Sequence, residues 1–207
     1  MSTQLATAPN PPDSLSLLHG VQRFLVKRRI TISLVLFTAL VSIDLWILRL
    51  KPRDVLQVAD PLVAAGLALV VAGLLVRSWA AGTLHKNQQL TMTGPYSLVR
   101  NPLYFGSFLM MGGFCLLLND PHTLWVVIGP VALIYILVVR YEERTLLRCF
   151  PETFPAYRAR VPAIIPWRMN LQLGGWSLAQ WLANREYNAW VGSLVAIGGL
   201  YAWRVWG

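Results

Sequence analysis

Five stretches of this sequence are apolar for long enough to cross a bilayer, at roughly residues 30–48, 61–79, 103–119, 123–140 and 187–206, taking about 20 residues per helical crossing. Inside a bilayer every backbone amide and carbonyl must be bonded within the protein, so such runs fold as helices. The expected fold is therefore all-α, a polytopic membrane protein with about five transmembrane helices. Composition agrees, since 56% of the 207 residues are apolar and 13% charged, outside the balance of soluble domains. The third run is short and holds Gly106, Gly112 and Gly113, which suit close helix packing or, alternatively, a kink.

The Lys and Arg residues orient these spans. With the N-terminus inside, fourteen fall on inner segments and four, Arg49, Lys51, Arg53 and Arg204, on outer ones. That bias predicts a multi-pass protein with a cytoplasmic N-terminus and both long polar segments facing the cytoplasm. The net charge of +9 then reads as a topology signal with some attraction to anionic headgroups, and no nucleic-acid partner is needed to explain it. Residues 1–29 read as a cytosolic lead-in, 30–79 as two spans, 80–168 as a core built on a transmembrane hairpin, and 169–207 as an interfacial helix followed by the last span. The Trp-rich "GGWSLAQWLANREYNAW" carries the interfacial reading. Cys115, Cys149 and the three scattered histidines lack metal-ligand spacing, so no metal site is expected.

Only "NDPHT" separates the third and fourth runs, and so short a link makes antiparallel neighbours of the two helices. Their far ends then converge. One carries Arg100, Asn101 and Tyr104, the other Arg140, Tyr141, Glu142 and Glu143. Pro102 suits the first helical turn, where its missing N–H costs nothing. A guanidinium, an amide and a phenol on this rigid start, facing two carboxylates, suit a small zwitterion. The same residues also suit a snorkelling topology anchor and solvated headgroup-level charge.

The ordered pattern "GPYSLVRNPLYFG", a two-helix hairpin, then "EERTLLRCFPETFPAYRARVP" resembles the integral-membrane methyltransferases of the isoprenylcysteine carboxyl methyltransferase and phospholipid N-methyltransferase superfamily. It covers about residues 80–166. The resemblance implies an S-adenosylmethionine pocket at the cytoplasmic helix ends, sealed by the C-terminal segment, with a lipid or other lipophilic acceptor arriving from the bilayer. It places Gln88, Gln89, Leu90 and Thr91 along the cofactor, continues the wall with Tyr96, Asn101, Pro102, Leu103 and Tyr104, and sets Glu142 where cofactor and acceptor meet. Arg100 and Glu143 complete the motif and hold the cofactor's ends with Glu142. Arg100 and Glu142 are the expected catalytic residues.

Three departures from the prenylcysteine branch leave the acceptor open: Asn101 and Gln88 stand where that branch has His, and Val138 where it has Arg. Arg140, on a nearby turn, is the candidate stand-in beside the substrate. A sterol-reductase-like membrane oxidoreductase and a non-catalytic membrane binding protein of the same fold are the alternatives. Neither the acceptor nor the oligomeric state follows from the sequence.

Overall fold

The computed structural model describes residues 35, 38, 39, 42–47, 49–85, 89–167 and 171–206. The expected lead-in, most of the first expected span and Gln88 lie outside the described residues. Among those described, all regular structure is helical. Helix α1 (Pro61–Thr83) starts where the Asp60 carboxylate accepts the Leu62 amide and Pro61 fills the first turn, a combination that satisfies donors without helical partners. Helix α2 (Pro102–Leu118) ends on Asn119 in the left-handed conformation, φ 60°. The Asp120 carboxylate then accepts from both the amide and the hydroxyl of Thr123, which closes the short link.

Helix α3 (Pro121–Val126) continues through a π-helical turn, Val127–Val131, into α4 (Ala132–Cys149). Pro130 in that turn has no N–H to donate, so the regular ladder cannot run through it. Three helices follow: α5 (Phe154–Arg160), α6 (Leu178–Ala183) and α7 (Tyr187–Trp206). By length and composition two helical stretches can cross a membrane, Pro61–Thr83 and Thr123–Cys149, with Pro102–Leu118 a shorter apolar helix. Helix α7 coincides with the last expected run, its apolar residues interspersed with Asn, Trp and Tyr.

The bundle centres on α1 and α2. Gly66 faces Gly113 and Gly73 faces Gly106; a Cβ on Gly73 would lie 2.5 Å from the Gly106 carbonyl oxygen, and one on Gly113 2.5 Å from that of Gly66. Both pairs recur two turns apart and so share one face of each helix. Gly112, one residue off this face, has nothing within 4 Å of its would-be Cβ and takes no part in the seam. Val63, Val70, Leu74, Phe114, Leu117 and Leu118 pack beside it, with Leu200 from α7.

Helices α2 and α4 meet differently. Their backbones stay apart, and the Tyr135 ring bridges them, edge-on to Tyr104 at 5.0 Å and tilted against Phe108 at 5.1 Å. Residues 171–186 form a strap across the Arg100 end of the bundle. Its bonds include the Gly94 amide to the Gln172 carbonyl (2.6 Å), the Trp176 indole to the Ser78 carbonyl (3.0 Å) and the Ser177 amide to the Gly82 carbonyl (2.9 Å). Leu173, Trp176, Leu178 and Leu182 remain exposed on it, as suits a membrane interface.

A candidate cofactor corner where the motifs meet

Each motif residue has a local reason for its place. Gly94 adopts φ 62°, open to glycine at little cost, and Pro95 starts the 3₁₀ turn Gly94–Ser97 that turns Tyr96 inward. Arg100 and Asn101 then run beside the extended segment after α5. The Arg100 amide donates to the Pro162 carbonyl (2.8 Å), and the Asn101 amide and side-chain nitrogen both donate to Ala163 (3.0 and 3.1 Å). Pro102 follows and begins α2.

Arg100 is the keystone of this corner. Its Nε and Nη2 donate to Glu143 Oε1 at 2.9 and 2.6 Å, and its Nη1 donates to the carbonyls of Arg158 and Val161 at the end of α5. Both side chains are about nine-tenths buried, and the geometry satisfies a desolvated charge on each side. Arg158 adds a longer contact to Glu143, 3.4 Å. The neighbouring Glu142 points elsewhere, since adjacent helical residues diverge by about 100°. It is half-buried, and Tyr104 donates its hydroxyl proton to Glu142 Oε2 at 3.0 Å.

Tyr96 closes the inner side. Its carbonyl accepts the Tyr157 hydroxyl at 2.7 Å, while its own hydroxyl is buried with no hydrogen-bond partner among the described residues. Burial above all, with Tyr157, Glu186 and Tyr104 nearby, raises the Tyr96 phenol well beyond its ordinary value of 10.0, so it remains a neutral donor. A buried donor left unmade is costly, and an acceptor atom of a bound ligand would relieve it. A groove of about 570 Å³ is lined by Met92, Ser97, Glu152, Thr153, Tyr157 and Gln172 among others, a set that does not include Tyr96, Arg100, Tyr104 or Glu142.

The structure thus brings Tyr96, Arg100, Asn101, Pro102, Leu103, Tyr104, Glu142 and Glu143 to one end of the bundle. Leu90 and Thr91 are half-buried, with the Thr91 hydroxyl accepting the His85 amide, and Gln89 is exposed. Arg140 is not brought to the corner: it is exposed, and two residues from Glu142 it lies about 200° around α4. Val138, where the prenylcysteine branch has Arg, is buried at 1% exposure.

Sequence reasoning passed over one pair. Arg77 of α1 grips Glu186 through Nε (2.8 Å) and Nη2 (2.9 Å), and its Nη1 donates to Ser107 Oγ (2.6 Å). The available signal was a charge inside an apolar run, which calls for a partner.

The phospholipid methyltransferase family matches residues 58–153, a stretch that includes the GPY turn, Arg100, the hairpin and both glutamates. The chain belongs to that family. It is 30% identical to the nickel-cobalt-cadmium resistance protein NccN of Alcaligenes xylosoxydans xylosoxydans over 77% of this chain and 70% of the relative. It is 31% identical to the cobalt-zinc-cadmium resistance protein CzcN of Cupriavidus metallidurans over 83% and 78% respectively. No solved structure matches. Membership in a family of membrane methyltransferases accords with the apolar helices and gives the corner a chemical context.

Proposed function

We propose that this phospholipid methyltransferase family member is an integral-membrane, S-adenosylmethionine-dependent methyltransferase acting on a lipophilic acceptor. The observation that carries the reading is the Tyr96 hydroxyl, buried without a partner beside a corner that holds Tyr104 on Glu142. Tyr96 would donate to the cofactor, and Leu103 and Tyr104 would wall it. Arg100 and Glu143, already engaged with each other and with the carbonyls of α5, hold the corner's shape. They do so where the sequence pointed to direct contact with the cofactor's ends.

When bound, the cofactor supplies a methyl group activated by a sulfonium. The protein's part is alignment and exclusion of water, because charge is cancelled as the methyl moves. Glu142, fixed by Tyr104, orients the acceptor and takes a proton where the acceptor is an amine or thiol; a carboxylate acceptor needs no base at neutral pH. The separated backbones of α2 and α4, bridged by the Tyr135 ring and by Tyr104 on Glu142, offer an acceptor's apolar chain a way in from the bilayer. The positive-inside bias puts the corner on the cytoplasmic side.

The names of the two relatives suggest a setting, in which the methylated product supports tolerance of cobalt, zinc, cadmium or nickel. Purified protein warmed with S-adenosylmethionine, its demethylated product or reduced nicotinamide nucleotides tests the cofactor, because only a ligand of the folded state raises the melting temperature. The first two are expected to stabilise it. Stabilisation by the nicotinamide nucleotides alone would contradict the reading.

A further inference from the structure

The Arg77–Glu186 pair joins parts of the chain 109 residues apart, and its position is costly to reach. Arg185 adopts φ 55°, a left-handed conformation unusual for a residue other than glycine, and thereby turns Glu186 under the strap. The Glu186 side chain is 4% exposed and that of Arg77 23%. The strap is already fastened to α1 without them: the Asn184 side chain donates to the Ala81 and Leu84 carbonyls, and Ser177 and Trp176 bond to Gly82 and Ser78. Holding the strap down therefore does not account for a buried bidentate charge pair.

Its surroundings point to the site. Arg77 also reaches the Leu103 carbonyl and Ser107, on the first turns of α2 beside Tyr104. The unpartnered Tyr96 phenol lies within electrostatic range of both Arg77 and Glu186. A ligand walled by Leu103 and Tyr104 would lie near a guanidinium whose charge Glu186 cancels.

Resting on the methyltransferase reading, we infer that Glu186 is a positioning residue that neutralises Arg77 and so makes the inner wall tolerant of a sulfonium. Arg77 remains necessary because it organises the start of α2. An unpaired guanidinium there would repel the positively charged cofactor and leave its neutral thioether product nearly unaffected. The wall thus sets the balance between methyl donor and spent product.

Calorimetric titration of the full chain in lipid nanodiscs, with S-adenosylmethionine and S-adenosylhomocysteine separately, tests this. Glu186→Gln is expected to weaken the donor relative to the product by roughly tenfold, the size of one charge about 12 Å away in a medium of effective dielectric about 20. The double change Arg77→Met with Glu186→Gln, which removes both charges, is expected to return the ratio to within about twofold of the wild type. Equal weakening of both ligands in the single variant, or no recovery of the ratio in the double, overturns the inference and leaves the methyltransferase reading intact. A wild-type protein that binds neither nucleoside overturns both.

Discussion

Arg100 and Glu143, 43 residues apart in sequence, meet at 2.6 Å between Nη2 and Oε1, and this contact ties the start of α2 to the far end of α4. Because the same guanidinium also donates to the Arg158 and Val161 carbonyls, a single side chain joins three segments of the corner.

Removing one partner of so buried a pair leaves the other charged and desolvated. Glu143→Ala is expected to destabilise the fold by about 3–5 kcal/mol. Arg100→Lys should also lose stability, since an ammonium cannot reproduce the planar fork that reaches a carboxylate and two carbonyls. Thermal unfolding in detergent checks both.

The α1–α2 seam predicts a contrast between glycines. Gly73→Leu forces side-chain atoms into the space held by Gly106 and Met110, and overpacking of this kind costs about 1–3 kcal/mol. Gly112→Ala, with open space around the new Cβ, is expected to be neutral or slightly stabilising, because alanine favours the helix. Unfolding temperatures of the two variants measure the difference.

These two cases also separate what the sequence disclosed from what it withheld. The helical runs, the hairpin and the convergence of Arg100 with the Glu142–Glu143 end of α4 could be read directly, because run length, link length and proline position constrain the backbone. Which glycines form the seam could not, since Gly112 and Gly113 look alike until the helix phase against a partner is known. Arg77 with Glu186 was hidden for a similar reason: nothing local joins a charge in the second apolar run to one ahead of the last. Arg140, the expected stand-in on a nearby turn, is exposed, because a position two residues from Glu142 lies about 200° around the helix.

Alkaline pH should loosen the corner. Burial raises the Tyr157 phenol above its ordinary 10.0, with Arg100 opposing and Glu143 adding to the shift. A group raised on folding favours the folded state fully below its unfolded value and withdraws that support as pH climbs toward the folded value. Stability is therefore expected to fall above about pH 10. Tyr157→Phe removes the Tyr157 share of that fall at a cost of about 1 kcal/mol for the lost hydrogen bond to the Tyr96 carbonyl; denaturation as a function of pH checks both effects.

Acid acts at the other end of α1. The Leu62 amide bond, opposed by desolvation and aided by Arg53, holds the Asp60 carboxyl below its ordinary 3.8. Its contribution is complete above that value and lost as pH falls through the lower folded one. Asp60→Asn should flatten this part of the acid unfolding profile, measured by helical circular dichroism.

Tyr104→Phe should leave stability nearly unchanged and lower turnover, because it removes the hydroxyl that fixes Glu142 without disturbing the ring against Tyr135. A loss of about tenfold or more in kcat with little change in cofactor affinity is expected for a group that orients an acid–base residue. Steady-state kinetics with the labelled cofactor reads it.

The central claim is tested most directly by incubating the purified protein in lipid membranes with methyl-labelled S-adenosylmethionine and measuring label in the lipid fraction, beside Glu142→Ala. The account predicts label with the wild type and almost none with the variant, while both melt at similar temperatures. No transfer by the wild type to any lipid fraction, or undiminished transfer by Glu142→Ala, would contradict it.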